Sequence, residues 1–135
     1  MCKRILLIED DPLWEDAIVR FAEDSGYKIE VARTADEARS KLGLTGKEVA
    51  EANFDLLIVD IRIPSDHEGL QIIKELRHKQ NRLAIAQERG PRVIMSSVLD
   101  KIAVAEWEAE VKWDRFLVKP YDLKELLKII GSFFC

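Results

Sequence analysis

The sequence predicts an α/β domain in which short parallel strands alternate with helices. Three features carry this reading: short strand-like stretches at 4–8, 27–32, 56–59, 93–96 and 115–118, mostly runs of branched apolar residues; apolar residues at helical spacing between them; and capping or helix-stopping residues at the junctions. At 135 residues the chain is long enough for one core, so residues 1–135 are expected to form a single domain.

The first strand, 4–8, runs into three acids, Glu9, Asp10 and Asp11. Asp11 is a natural N-cap and Pro12 takes the favoured first helical position, so a helix follows with Leu13, Trp14, Ala17, Ile18 and Phe21 at helical spacing; Gly26 stops it. Residues 27–32 alternate polar and apolar, as expected of a strand near a sheet edge. Thr34-Ala-Asp-Glu37 is a capping box that opens a second helix ending near Gly43, and Thr45-Gly-Lys-Glu48 is another, implying an extra helical turn or two through about Ala52.

The run Leu56-Leu-Ile-Val59 reads as a strand covered on both faces, ending in Asp60 where the chain leaves the core. A third helix is expected over 69–80, with Leu70, Ile73 and Leu76 on one side. Residues 81–90 suit either an extension of that helix or a polar loop closed by Gly90-Pro91. The fourth strand, 93–96, ends in Ser96 and Ser97; a fourth helix is expected over 100–111. The fifth strand, 115–118, ends in Lys119-Pro120, and Asp122 caps a last helix that carries Leu123, Leu126, Leu127 and Ile130 inward.

Five strand-helix units with right-handed crossovers favour the doubly wound, flavodoxin-like order 2-1-3-4-5, with helices on both faces of the sheet. Strands one and three are then neighbours, and the carboxyl ends of the strands gather Glu9, Asp10 and Asp60 in one cleft, with Ser96 and Lys119 beside it. Three carboxylates at one rim repel each other unless a cation neutralises them. Hard oxygen donors without His or Cys favour Mg²⁺, which shares its remaining positions with phosphate oxygens. An Asp carboxylate can act as the nucleophile in phosphoryl transfer, and Asp60 is the one on the central strand. The charge that such transfer spreads over three oxygens would be met by the metal, by Lys119 and by the Ser96 hydroxyl.

Four segments, Leu6-Leu-Ile-Glu-Asp-Asp-Pro12, Leu56-Leu-Ile-Val-Asp-Ile-Arg-Ile-Pro64, Val93-Ile-Met-Ser-Ser97 and Phe116-Leu-Val-Lys-Pro120, resemble the motifs of the receiver domain of two-component response regulators. The resemblance spans nearly the whole chain. It implies a phosphoacceptor at Asp60; Mg²⁺ held by Glu9, Asp10 and Asp60, with Asp10 the more direct of the two acids after strand one and the Arg62 backbone carbonyl completing the protein ligands; and a phosphoryl group contacted by Ser96 and Lys119. It further implies a cis Lys119-Pro120 bond and an aromatic switch at Phe116, which would act with Ser96. The chain departs from the pattern in four places. Gly69 comes one residue late, leaving a longer, more acidic lip at 65–68; Ser97 replaces a small apolar neighbour; the second-helix region and 81–90 are long; and Phe116 lacks a hydroxyl.

The function implied is a domain that takes a phosphoryl group from a histidine kinase or a histidine phosphotransfer protein. It then switches the face made by the fourth helix, fifth strand and fifth helix toward an output partner or output domain. That face is also where a homodimer would form. The domain modifies itself and is not a turnover enzyme. One rival is a receiver-like interaction module that works without phosphorylation; a more distant one is a phosphatase with an aspartyl nucleophile, which would want a second carboxylate where Arg62 stands. A net charge of −4 without a clustered basic face argues against direct nucleic-acid binding, and no apolar run approaches a membrane span. Cys2 and Cys135 have neither zinc nor disulfide spacing, and with no targeting segment apparent the expected compartment is the cytoplasm. His67 and His78 suit surface placement better than metal binding. Trp107 and Trp113 flank the fourth helix and fifth strand, where the resemblance implies a partner surface; core packing explains Trp107 as well as an interface does. The last helix is expected to run into a tail, Gly131-Ser-Phe-Phe-Cys135, that could be a true terminus or a cut before a linker; two exposed phenylalanines there would hint at dimerisation or a missing neighbour.

Overall fold

A computed structural model describes residues 3–44, 54–61, 68–82, 90–98 and 111–134. Its elements, in chain order, are β1 (Arg4–Ile8), α1 (Pro12–Asp24), β2 (Lys28–Ala32), α2 (Ala35–Lys41), β3 (Leu56–Asp60), α3 (Glu68–Arg82), β4 (Arg92–Ser97), β5 (Arg115–Val118) and α4 (Leu123–Phe134). The strands form one parallel sheet in the order β2-β1-β3-β4-β5, the doubly wound topology expected.

The two-residue period of the strands divides the core into two layers. Leu6, Ile8, Leu57, Val59, Val93 and Met95 point to one face, where they meet Leu70, Ile73 and Leu76 of α3 and Ala35 and Ala38 of α2. Ile5, Leu7, Leu56, Ile58 and Ile94 point to the other, against Ile18 of α1 and Leu126 and Ile130 of α4. Every residue of β3 is buried, because this strand lies mid-sheet with helices on both sides. β2 lies at an edge, and only Ala32 of it is fully covered, in keeping with its polar-apolar alternation.

The junctions obey their local chemistry. Asp11 accepts from the Leu13 amide at 2.9 Å, Thr34 from the Glu37 amide at 3.1 Å, and Asp122 from the Lys124 amide at 2.8 Å, each meeting an orphan helix donor. Glu37 returns its carboxylate to the Arg33 amide rather than to that of Thr34, so the box is closed one residue early. Gly26 and Gly43 follow α1 and α2 at φ of 88° and 69°, a region glycine enters without a Cβ clash.

Several expectations need correction. Leu13 does not join the core: it is 82% exposed, since at the second position of α1 it projects away from the sheet. α3 starts one residue before the expected 69 and runs on through Arg82, settling 81–82 as helix. The tail after the last helix is not a tail. α4 continues through Phe134, Phe133 and Phe134 pack against the core layer shared with α1, and the Phe134 ring lies 6.1 Å from that of Tyr27, centre to centre. Their apolar area is worth more buried than exposed, and Arg92 and Lys3 cover the two rings as cations. The second capping box at 45–48, the stretch 83–89 and all but the last residue of the fourth expected helix fall outside the described residues; Val111, that last residue, is helical and buried.

Candidate phosphoacceptor site

β1 and β3 run in register from Ile5↔Leu56 to Ile8↔Val59, so the next residues, Glu9 and Asp60, emerge side by side at the carboxyl edge. Asp60 is in turn paired with Ser96 across β3 and β4. Adjacent strands lie roughly 4.8 Å apart, so Lys119, at the end of β5, starts about two spacings from Asp60, a gap that a lysine side chain can cross. It does so: the Lys119 ammonium donates to Glu9 Oε1 at 2.5 Å and to Asp60 Oδ2 at 3.0 Å. The peptide bond after it, Lys119-Pro120, is cis, as the resemblance implies.

Ligand oxygens of Glu9, Asp10 and Asp60 all lie within 4.8 Å of one another. Glu9 is buried and Asp10 exposed; the Asp60 side chain is 10% exposed and that of Lys119 8%. Burial pushes the Glu9 carboxyl up to about 7 against the bond to Lys119, and the Asp60 charge adds to the rise. Burial on its own would depress the Lys119 ammonium, but its bond to Glu9 and the charges of Asp60 and Glu9 outweigh it, so its pKa ends above the ordinary value. Two of the three carboxylates, Glu9 and Asp60, thus bond the same ammonium. A hard divalent cation fits this set: the donors are all oxygen and they already converge.

The Ser96 hydroxyl is buried beside Asp60 and makes a long contact, 3.5 Å, to the Val59 carbonyl. Phe116 is not at the cleft. It packs on the α3-side core layer with its ring 5.6 Å from that of Trp113, itself only 8% exposed and part of that core. His78 is exposed on α3, as expected. Arg62, Ser65, His67 and Trp107 lie outside the described residues, and with them most of the 65–68 lip; its last residue, Glu68, opens α3.

Sequence reasoning missed Trp14. Its helical spacing suggested core, and it does pack against the core layer on the α1 side, but it also lines a cleft of about 310 Å³ together with Asp60, Glu9, Asp10 and Lys119. The available signal was position: the first turn of a helix that begins right after the Glu9-Asp10-Asp11 run has to lie over the strand ends.

Residues 5–131 match the family model described as the response regulator receiver domain. The transcriptional regulatory protein CrdR of Helicobacter pylori is 29% identical over 99% of this chain and 56% of its own length, and the response regulator protein PmrA of Pseudomonas aeruginosa is 33% identical over 91% and 48%. The chain therefore spans about half the length of these curated relatives. Among solved structures, the chemotaxis response regulator CheY4 of Vibrio cholerae aligns over 99% of this chain and 100% of its own with a TM-score of 0.80 at 22% identity. The response regulator TrrA of Thermotoga maritima, solved in complex with Mg²⁺-BeF, aligns over 98% and 99% with a TM-score of 0.73 at 23%. At these identities the structures speak for the fold alone; the family match, the sheet order and the cluster at the strand ends agree with one another, and this chain belongs to the receiver domains of two-component response regulators.

Proposed function

We propose that Asp60 is the phosphoacceptor of this receiver domain and that residues 1–135 make up one such domain, working in the cytoplasm. The observation that carries the reading is the Lys119 ammonium bridging Glu9 and Asp60, with the Asp10 carboxylate converging on the same point. A carboxylate on a fully buried strand, bonded to a lysine ammonium and flanked by two further acids, suits phosphoryl transfer better than a turn. Glu9, Asp10 and Asp60, with the backbone carbonyl of Arg62, would hold Mg²⁺, which would neutralise phosphoryl oxygens and the acid cluster together.

In the transfer, an Asp60 oxygen forms a bond to phosphorus while the bond from phosphorus to the donor imidazole nitrogen breaks. The electron pair stays on that nitrogen. Lys119 exchanges its contact with Asp60 for one with a phosphoryl oxygen, and the Ser96 hydroxyl, one strand away, turns from Val59 to another. Hydrolysis reverses the charge change: water attacks phosphorus, the bond to Asp60 breaks, and the carboxylate and inorganic phosphate return. The donor is a histidine kinase or a histidine phosphotransfer protein, and the domain acts on itself alone.

The response would run from Ser96 to Phe116 and the face around β5, and from there to an output partner, an output domain or a second copy of the chain. Phe116 already has a defined seat against Trp113, so a repacked state has something to leave. Beryllofluoride with Mg²⁺ should shift amide resonances at Phe116 and Trp113; unchanged resonances there would rule out this route. For the acceptor itself, incubation with acetyl phosphate and Mg²⁺ should add one phosphoryl group to the intact mass, and Asp60→Asn should abolish the addition. Absence of an adduct with both small-molecule and kinase donors would favour an interaction module that works without phosphorylation.

A further inference from the structure

The cleft has an aromatic wall that the roles above leave unused. Trp14, the third residue of α1, is half-buried, and its ring lies 4.7 Å from that of Tyr121 with 33° between the planes. The Lys119 ammonium sits over the Trp14 ring, 5.7 Å from its centroid. The Tyr121 hydroxyl is buried and has no hydrogen-bond partner among the described residues; burial, then the charges of Glu9 and Asp60, raise its pKa, so it stays a neutral phenol. Tyr121 therefore backs the indole as packing and does not serve as a ligand.

An ammonium is drawn to an indole face by the ring quadrupole, and more strongly where water is excluded, as it is from this lysine. The kind of contact matters. A third acceptor at that side would compete with phosphoryl oxygens for Lys119, whereas a ring attracts the charge without claiming an N–H. The ammonium is thus kept at the mouth of the cleft yet can be re-aimed. Trp14 and Asp60 line the same cleft, so the ring acts where an incoming group would arrive.

We propose that Trp14 is a positioning residue for phosphoryl transfer, its indole holding the Lys119 ammonium beside Asp60 for the incoming oxygens. This rests on Asp60 being the acceptor. In protein carrying ¹³C-lysine, the Lys119 Hε resonance, assigned by its loss in Lys119→Arg, should lie upfield from the ring current of Trp14. Trp14→Leu should return it to the ordinary lysine position and slow acetyl-phosphate labelling roughly 2- to 30-fold, with Mg²⁺ affinity, followed by amide shifts near Asp10, unchanged. Trp14→Phe should keep part of both the shift and the rate. The proposal fails if Trp14→Leu leaves the Lys119 resonance in place, if it moves the resonance but labels at the wild-type rate, or if it loses Mg²⁺ affinity in parallel. Wild-type protein that accepts no phosphoryl group while Lys119 still resonates upfield would sink the Asp60 reading, and the role of Trp14 with it.

Discussion

Lys119 bonds two buried carboxylates, Glu9 and Asp60, and removing it takes that ammonium from both. Breaking a buried pair costs about 3–5 kcal/mol where nothing replaces the lost charge; here a proton on Glu9 can relieve part of that, so Lys119→Met is expected to lower unfolding free energy by about 2–4 kcal/mol in Mg²⁺-free urea titrations. Addition of Mg²⁺ should restore part of the loss, because the carboxylates that would bind it remain. Asp10→Ala should do the opposite: little change in stability from an exposed side chain, but weak Mg²⁺ binding and slow phosphorylation together. A Lys119→Met protein that no longer bound Mg²⁺ would show that its assigned role is wrong. These residues were legible in the sequence because each stands directly at a strand end, where register alone decides its neighbours. Trp14 was not, since a helix period cannot say whether an aromatic faces the sheet or its edge.

The placement of β3 against α3 depends on Gly69. A Cβ there would lie 2.0 Å from the Asp60 carbonyl oxygen, and the Gly69 amide donates to the Ile61 carbonyl at 3.0 Å. Backbone, not a pliable side chain, is what the added methyl would meet. Gly69→Ala is therefore expected to cost at least about 2–3 kcal/mol and to shift amide resonances of Asp60 and Ile61, whereas Gly131→Ala, in open space on α4, should be neutral or stabilising. Equal stabilities for the two variants would contradict this packing. At this scale the sequence marked strands and caps well, because Asp11, Thr34 and Asp122 bond to amides two or three residues on, a purely local matter. It failed at Leu13 and at Phe133 and Phe134, whose exposure depends on distant surfaces: the sheet edge for the first, Tyr27 and the basic residues Lys3 and Arg92 for the others.

Across the whole molecule the sheet is held at its edge by a small charge network. Glu30 of β2 bonds Arg4 of β1 at 2.6 Å and Lys41 of α2 at 3.0 Å, and those bonds, Lys41 first, hold its carboxyl below the usual range. A depressed folded-state pKa stabilises above the unfolded value and is lost as pH falls through the folded one. Wild-type protein should accordingly lose more stability than Glu30→Gln between pH 7 and pH values below 4.5, by urea midpoints; parallel losses would show the network to be inert, as exposed pairs can be. The topology itself was legible from five strand-helix units, since handedness and size leave few alternatives. No helix among the described residues is long and apolar enough to cross a membrane. The proposed function rests on Asp60 as the acceptor, and chemical trapping tests it most directly. Borohydride reduction of acetyl-phosphate-treated protein, followed by peptide mass spectrometry, should convert the acyl phosphate to homoserine at position 60 and nowhere else. Homoserine at position 10, 5-hydroxynorvaline (the corresponding product from a glutamyl phosphate) at position 9, or no reduced residue in a protein that carries added phosphate, would contradict Asp60 as the acceptor.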